Sequence, residues 1–165
     1  MPYLNELTGI DLKIEEYVSV DWNDTYGPEF SEMYKAFDTE HTDIYLEAKL
    51  VDDSLYVIEK LLENEDKIYF VTARQKSIEH ITLKWLDKVG LGKIKVYSLD
   101  GNESKVPMAK KLKCQYFIED DPNNAKNLIK AGIEVILMDT NYNKSVIGSK
   151  LHRVKNWKEI QNILL

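Results

Sequence analysis

The sequence predicts an α/β protein built on a parallel sheet with helices on both faces, and three observations carry that prediction. After Leu50, short apolar runs alternate with segments of helical period. The runs are continuously apolar, as strands buried on both faces are. Several end in a polar or charged residue just before a helix start, the arrangement in which such sheets present their ligand-binding end. At 165 residues and 44% hydrophobic, the chain can bury one core and still carry a small excursion from it.

Taken in order, residues 1–9 read as a short helix left over from the core domain. Tyr3, Leu4 and Leu7 share one face and Gly9 stops it. Residues 10–50 are acidic, aromatic and irregular, with Tyr17, Trp22, Tyr26, Phe30, Tyr34, Phe37 and Tyr45, and turn residues from Asp21 to Pro28. Glu29 to Phe37 has the spacing of a short amphipathic helix. This region is expected to be a small helical cap. Its aromatics either form the cap's own core or lend one or two rings, such as Tyr26 and Phe30, to stacking on a flat ligand.

Residues 51–165 form the expected α/β core. Leu55, Ile58 and Leu62 mark a helix face capped by Asp52, Asp53 or Ser54. Lys67 to Val71 is a strand leading into Thr72-Ala73-Arg74. Ser77 is expected to cap a helix carrying Ile78, Ile81, Trp85 and Val89, ended by Gly90. Ile94 to Leu99 is a strand, and Asp100-Gly101-Asn102 a turn. Ser104 opens a helix with Lys105 in its first turn and Pro107 tolerated there. The strand Tyr116 to Ile118 follows, then a helix from Asn124 to Ala131 closed by Gly132. Ile133 to Met138, a polar loop with Asn141-Tyr142-Asn143, a short strand near His152 and a helix from Trp157 to Leu164 complete the chain.

The formal charge of −6 and the scattered lysines argue against a nucleic-acid polymer or an anionic membrane as partner, and leave a small phosphorylated ligand open. One cysteine, Cys114, allows no internal disulfide and suits a reducing cytoplasm. A signal peptide and a bilayer-spanning run are both absent from the sequence, so a soluble intracellular protein is expected.

The chemistry centres on Glu119-Asp120-Asp121, three carboxylates following an apolar strand and halted by Pro122. Such crowding calls for a cation or for water. At the carboxyl end of a parallel strand, Mg²⁺ is the expected cation, because it prefers carboxylate and water oxygens. A solvated acidic turn capping the next helix is the plainer alternative. Thr72 adds a hydroxyl and following N–H groups, and Lys105 an ammonium. Together with a carboxylate-held Mg²⁺ these form a phosphate cradle. Singly, Thr72 is an ordinary strand residue and Lys105 a surface lysine; their order along the chain raises the odds.

Ile68 to Arg74, Ser104-Lys105, and Phe117 to Ala125 resemble the second, third and fourth motifs of the haloacid dehalogenase superfamily. Within it, the bacterial nucleotidases related to 5′(3′)-deoxyribonucleotidases are most similar, over nearly the whole chain. The resemblance implies a Rossmann-like sheet and Mg²⁺-dependent hydrolysis of a phosphomonoester, with a nucleoside monophosphate as substrate. It further implies that Thr72 and the Ala73 N–H bind the phosphoryl group and that Lys105 neutralises it. Asp120 would hold Mg²⁺ with Glu119 or Asp121 in support, and Arg74, Tyr26 and Phe30 would face the rest of the substrate.

One departure is serious. The superfamily's first motif is an apolar strand ending in Asp-x-Asp, which supplies the nucleophile and the general acid/base. It should precede the helix near Pro2, where this sequence starts, and Asp21-Trp22-Asn23-Asp24 does not replace it. The expected consequence is a central strand missing from the sheet. A chain begun late, a sheet closed directly across the gap, and completion by a partner or by self-association are the competing explanations. The functional expectation is a nucleotidase that is truncated or inactive for want of its nucleophile. The alternative is a non-catalytic nucleotide- or protein-binding module. A phosphorelay receiver also uses acids, a Thr and a Lys, but there the acids come first along the chain.

Overall fold

The computed structural model describes residues 2–101 and 104–165; Asn102, expected in a turn, lies outside the described residues. Five strands and their connecting helices follow the predicted alternation. Strand β1 (Tyr69–Thr72) pairs in parallel with β2 (Lys95–Ser98), Tyr69 opposite Lys95 and Thr72 opposite Ser98. Strand β3 (Tyr116–Glu119) pairs in parallel with β4 (Glu134–Met138), which pairs in parallel with β5 (Leu151–Val154). The order is therefore β1-β2 and, separately, β3-β4-β5. The sheet does not close directly across the gap. Among the described residues, the second edges of β1 and β3 carry no strand.

Each half-sheet has its own core. Phe117, Val135 and Leu137 pack with Ala109 of helix α7 (Val106–Leu112) and with Ala125 and Leu128 of α8 (Pro122–Lys130). On the opposite face, Ile136 and Val154 meet Ile160 of the last helix, α9 (Trp157–Leu164). Covering both faces of β4 explains its unbroken apolar run. Phe70 and Val96 of the β1-β2 pair pack with Ile58 of α5 (Ser54–Glu63) and Leu86 of α6 (Glu79–Lys88). Trp157 joins this cluster as well as the one around Ile160, so α9 ties the half-sheets together.

Several helix starts differ from expectation. Ser77 does not cap α6; residues 76–78 form a 3₁₀ turn and the helix opens at Glu79 with no side-chain cap. Asp53, one of the expected caps, sits at the N-cap of α5 in the left-handed region (φ 62°) but makes no side-chain capping bond. Gly90 (φ 84°) and Gly132 (φ 88°) stop their helices as predicted, since a left-handed residue after a helix is easiest for glycine.

The chain before residue 50 carries helices and no strand among its described residues. Helices α1 (Pro2–Thr8), α2 (Trp22–Tyr26), α3 (Ser31–Glu40) and α4 (Asp43–Glu47) surround one aromatic cluster. Leu4, Tyr26 and Phe37 are buried at its centre, ringed by Tyr3, Trp22, Phe30 and Tyr34. Helix α1, expected with the α/β core, thus buries Leu4 among the cap aromatics. The cluster docks on α6: the Trp85 indole N–H donates to the Ala48 carbonyl (2.8 Å) and Lys88 Nζ to that of Leu46 (2.9 Å).

Candidate active site

Strand β3 ends at Glu119, and the chain turns sharply there because Pro122 begins α8. The three acids have three different occupations. Glu119 is buried and accepts from Lys105 Nζ at 2.7 Å and, through its other oxygen, from the N–H groups of Asp120 (3.0 Å) and Asp121 (3.1 Å). Burial pushes its carboxyl above the usual range, against the pull of Lys105 and the two N–H groups. Asp121 caps α8, accepting from Asn124 N at 2.7 Å. Asp120 alone is exposed, and its Oδ2 accepts the Tyr142 hydroxyl.

Lys105 precedes α7, and its side chain is only 13% exposed, so its ammonium is aimed and held by Glu119 rather than free in solvent. At the other half-sheet, Thr72 Oγ accepts from the Arg74 N–H (3.2 Å), and the Thr72 and Ala73 carbonyls accept from Leu99 N and Gly101 N. Ala73 itself is exposed, just past the end of β1. Arg74 points into the cap: its guanidinium stacks over the Tyr45 ring (4.0 Å) and donates to Thr82 Oγ (3.1 Å). The Tyr45 hydroxyl donates to Asp38 in turn (2.7 Å). Burial lowers the Arg74 pKa, although a guanidinium remains charged.

The structure therefore brings Lys105, Glu119, Asp120 and Asp121 together. Thr72, Ala73 and Arg74 form a second group at the end of β1. Tyr26 and Phe30 belong to neither: Tyr26 is 3% exposed with its hydroxyl on Asn5, and Phe30 packs beside Tyr34. An apolar cavity of about 320 Å³ adjoins Thr72 and Arg74 beneath α5 and α6. An open pocket of about 620 Å³ lies between Ile14–Tyr17 of the cap and Asp139–Tyr142. Neither gathers Thr72, Lys105 and Asp120.

Asn141-Tyr142-Asn143, a polar loop with no role expected from the sequence, forms a 3₁₀ turn after β4. Asn143 is fully buried, and its amide donates to the carbonyls of Asp120 and Met138, both at 2.8 Å. Arg153 Nη1 donates to Asn143 Oδ1 and Asp139 Oδ1, and Nη2 to the Asn143 and Val146 carbonyls. These bonds seat the loop beside the end of β3 and bring Tyr142 to Asp120. An asparagine-rich loop after an apolar strand was the available signal, but its partner lay 22 residues away in sequence.

Among the described residues, no three His, Cys, Asp or Glu side chains gather as a ligand set. Mg²⁺ commonly rests on one or two carboxylates and fills its other positions with water and substrate phosphate oxygens. An ion held in that open form would rest on Asp120, the one exposed acid of the three, and on water. The sequence also contains no Asp-x-Asp. Asp21 and Asp24, the closest approach to one, are engaged with Asn23 and Ser19 inside the cap.

A parallel α/β core with a threonine, a lysine and an acid cluster after successive strands defines a member of the haloacid dehalogenase superfamily. The comparisons narrow the class. The chain belongs to the 5′ nucleotidase, deoxy (pyrimidine), cytosolic type C protein family, whose sequence profile matches residues 3–165. A nucleotidase from Clostridium acetobutylicum is 37% identical over 136 residues, covering 82% of this chain and 68% of that protein. "Putative nucleotidase YqfW" of Bacillus subtilis is 30% identical over 160 residues, 96% of this chain and 82% of that one. A similarly named protein of Halalkalibacterium halodurans is 30% identical over 160 residues, 96% and 81% of the two. No helix among the described residues is long and apolar enough to cross a membrane.

Proposed function

We propose that this chain carries the binding half of a Mg²⁺-dependent phosphomonoesterase acting on nucleoside monophosphates, and lacks the aspartate that performs the covalent step. The observation that supports it most is the Lys105–Glu119 pair set beside Asp120 at the carboxyl end of β3, in a chain of this family. Lys105, aimed by Glu119, offsets the charge of a phosphoryl group; the Thr72 hydroxyl and the Ala73 N–H hydrogen-bond its oxygens. Asp120 would hold the ion, with Asp121 beside it. When bound, Mg²⁺ would supply charge neutralisation at the phosphate. Asp121 meanwhile keeps α8, and with it the turn, in place.

What this set cannot do is attack phosphorus or move a proton to the leaving group. Thr72 has no base within its hydrogen bonds, and Glu119 is committed to Lys105. The open edges of β1 and β3 are where an apolar strand ending in Asp-x-Asp would complete both sheet and chemistry. Until it is supplied, those edges favour self-association. The single half-buried Cys114 suits a cytoplasmic setting.

A second reading has its own support. With no Asp-x-Asp in the sequence and two half-sheets instead of one, the chain would act as a nucleotide-binding module without turnover. Fusing an apolar strand with Asp-x-Asp ahead of residue 2 separates the two. Phosphate release from deoxynucleoside monophosphates by the fused chain, lost again on Lys105→Ala, supports the enzyme reading. Monophosphate binding without release by either chain supports the module.

A further inference from the structure

We propose that the cavity beneath α5 and α6 binds a small aromatic carboxylate, with its ring among the tryptophans and its charge on Arg74. The inference stands apart from the reading above, since it needs neither Asp120 nor a metal ion.

The walls define the body of the ligand. Phe70, Trp85 and Trp157 line a space of about 320 Å³. That is toward the small end of ligand pockets, and like them it sets a few polar groups among apolar walls. Three aromatic side chains favour a flat ring, which can meet them edge-on or offset. Ser54 Oγ lies on the same wall, buried and with no hydrogen-bond partner among the described residues. A buried hydroxyl in that state is unfavourable, and an acceptor on the ring of a ligand satisfies it.

Arg74 defines the head. Among the described residues it is the one charged residue on the wall. Its guanidinium lies over the Tyr45 ring at 4.0 Å and makes one hydrogen bond, to Thr82 Oγ at 3.1 Å. Among the described residues no carboxylate pairs with it. Asp38 acts on it through space, but that carboxylate accepts the Tyr45 hydroxyl instead. A partly desolvated guanidinium with in-plane donors to spare matches the two oxygens of a carboxylate. One positive charge balances one negative charge. A phosphate dianion would need a second cation, and no lysine or histidine lines the cavity among the described residues.

The test titrates naphthylacetate and its neutral isostere, naphthylacetamide, into the full chain by calorimetry without Mg²⁺. Wild type should bind the acid roughly 10-fold or more tightly than the amide, the difference made by a hydrogen bond between charged groups. Arg74→Gln should remove that preference. Tyr45→Leu takes away the stacked ring but leaves the charge, so the preference persists. Ser54→Leu fills the cavity from α5 and should weaken both probes, with urea denaturation showing that the variant is folded. The indole NMR signals give a second readout that needs no variant: the acid should shift Trp85 and Trp157 and leave Trp22, in the cap, unmoved. Equal affinity for acid and amide in wild type, or a preference that survives Arg74→Gln, would overturn the role given to Arg74. Binding of neither probe, shifts at Trp22 alone, or unaltered binding by folded Ser54→Leu would overturn the site.

Discussion

Lys105 and Glu119 form a buried ion pair at the end of β3. Their side chains are 13% and 3% exposed, so each desolvates the other's charge, and removing one partner strands the other. Lys105→Ala should cost about 3 kcal/mol of stability. Adding Glu119→Gln should recover part of that, because the amide carries no charge to strand. Urea denaturation of the two variants checks this; equal stability would mean that the pair is solvated. Asp139 offers a titratable case. Lys144, then Arg153, holds its carboxyl below the usual range. A carboxyl with a depressed folded pKa contributes stability above its unfolded value of about 4, and loses it as pH falls through the folded value. Asp139→Asn should therefore flatten the acid limb of a stability–pH curve below about pH 4. An unchanged acid limb would show that the pair contributes nothing to the loop's anchoring.

Among the elements, α9 has the widest reach. Asn156 caps it, accepting from Glu159 N at 3.0 Å, and Ile160 is fully buried against Ile136 and Val154. Trp157 also enters the cluster of Ile58, Leu86 and Leu91, making it a bridge between half-sheets that share no ladder. Trp157→Ala should cost about 3–5 kcal/mol and broaden the unfolding transition, because the halves then melt less cooperatively. A sharp single transition at lower denaturant would mean that other contacts, such as Val71 against the Phe117 cluster, suffice. The strands and most helices were legible in the sequence because continuous apolar runs and glycine stops report burial directly. The helix start at Glu79 was not, because Ser77 has a capping residue's chemistry but lies inside a 3₁₀ turn. Nor was the Tyr142–Asp120 bond, which depends on how β3 and β4 end side by side. The acid cluster was legible as three carboxylates at a strand end. That its members divide into lysine anchor, helix cap and exposed carboxylate is a matter of geometry that no spacing encodes.

For the whole molecule, the organising fact is a sheet in two parts. Among the described residues no ladder joins β1 to β3, and backbone groups on those edges are worth on the order of 1–3 kcal/mol each where water is excluded. The cavity beside β1 has Ser54 Oγ on its wall, buried with no hydrogen-bond partner among the described residues. The proposed phosphate and ion ligands thus stand at the ends of two separate half-sheets, Thr72 on one and Lys105 with Asp120 beside the other. The most direct measurement is phosphate release from deoxynucleoside monophosphates with Mg²⁺, comparing the 165-residue chain with the same chain carrying an added Asp-x-Asp strand. The account predicts no release from the first and release from the second, abolished by Lys105→Ala in protein shown to be folded. Turnover by the unmodified chain would reveal a nucleophile within it and contradict the account.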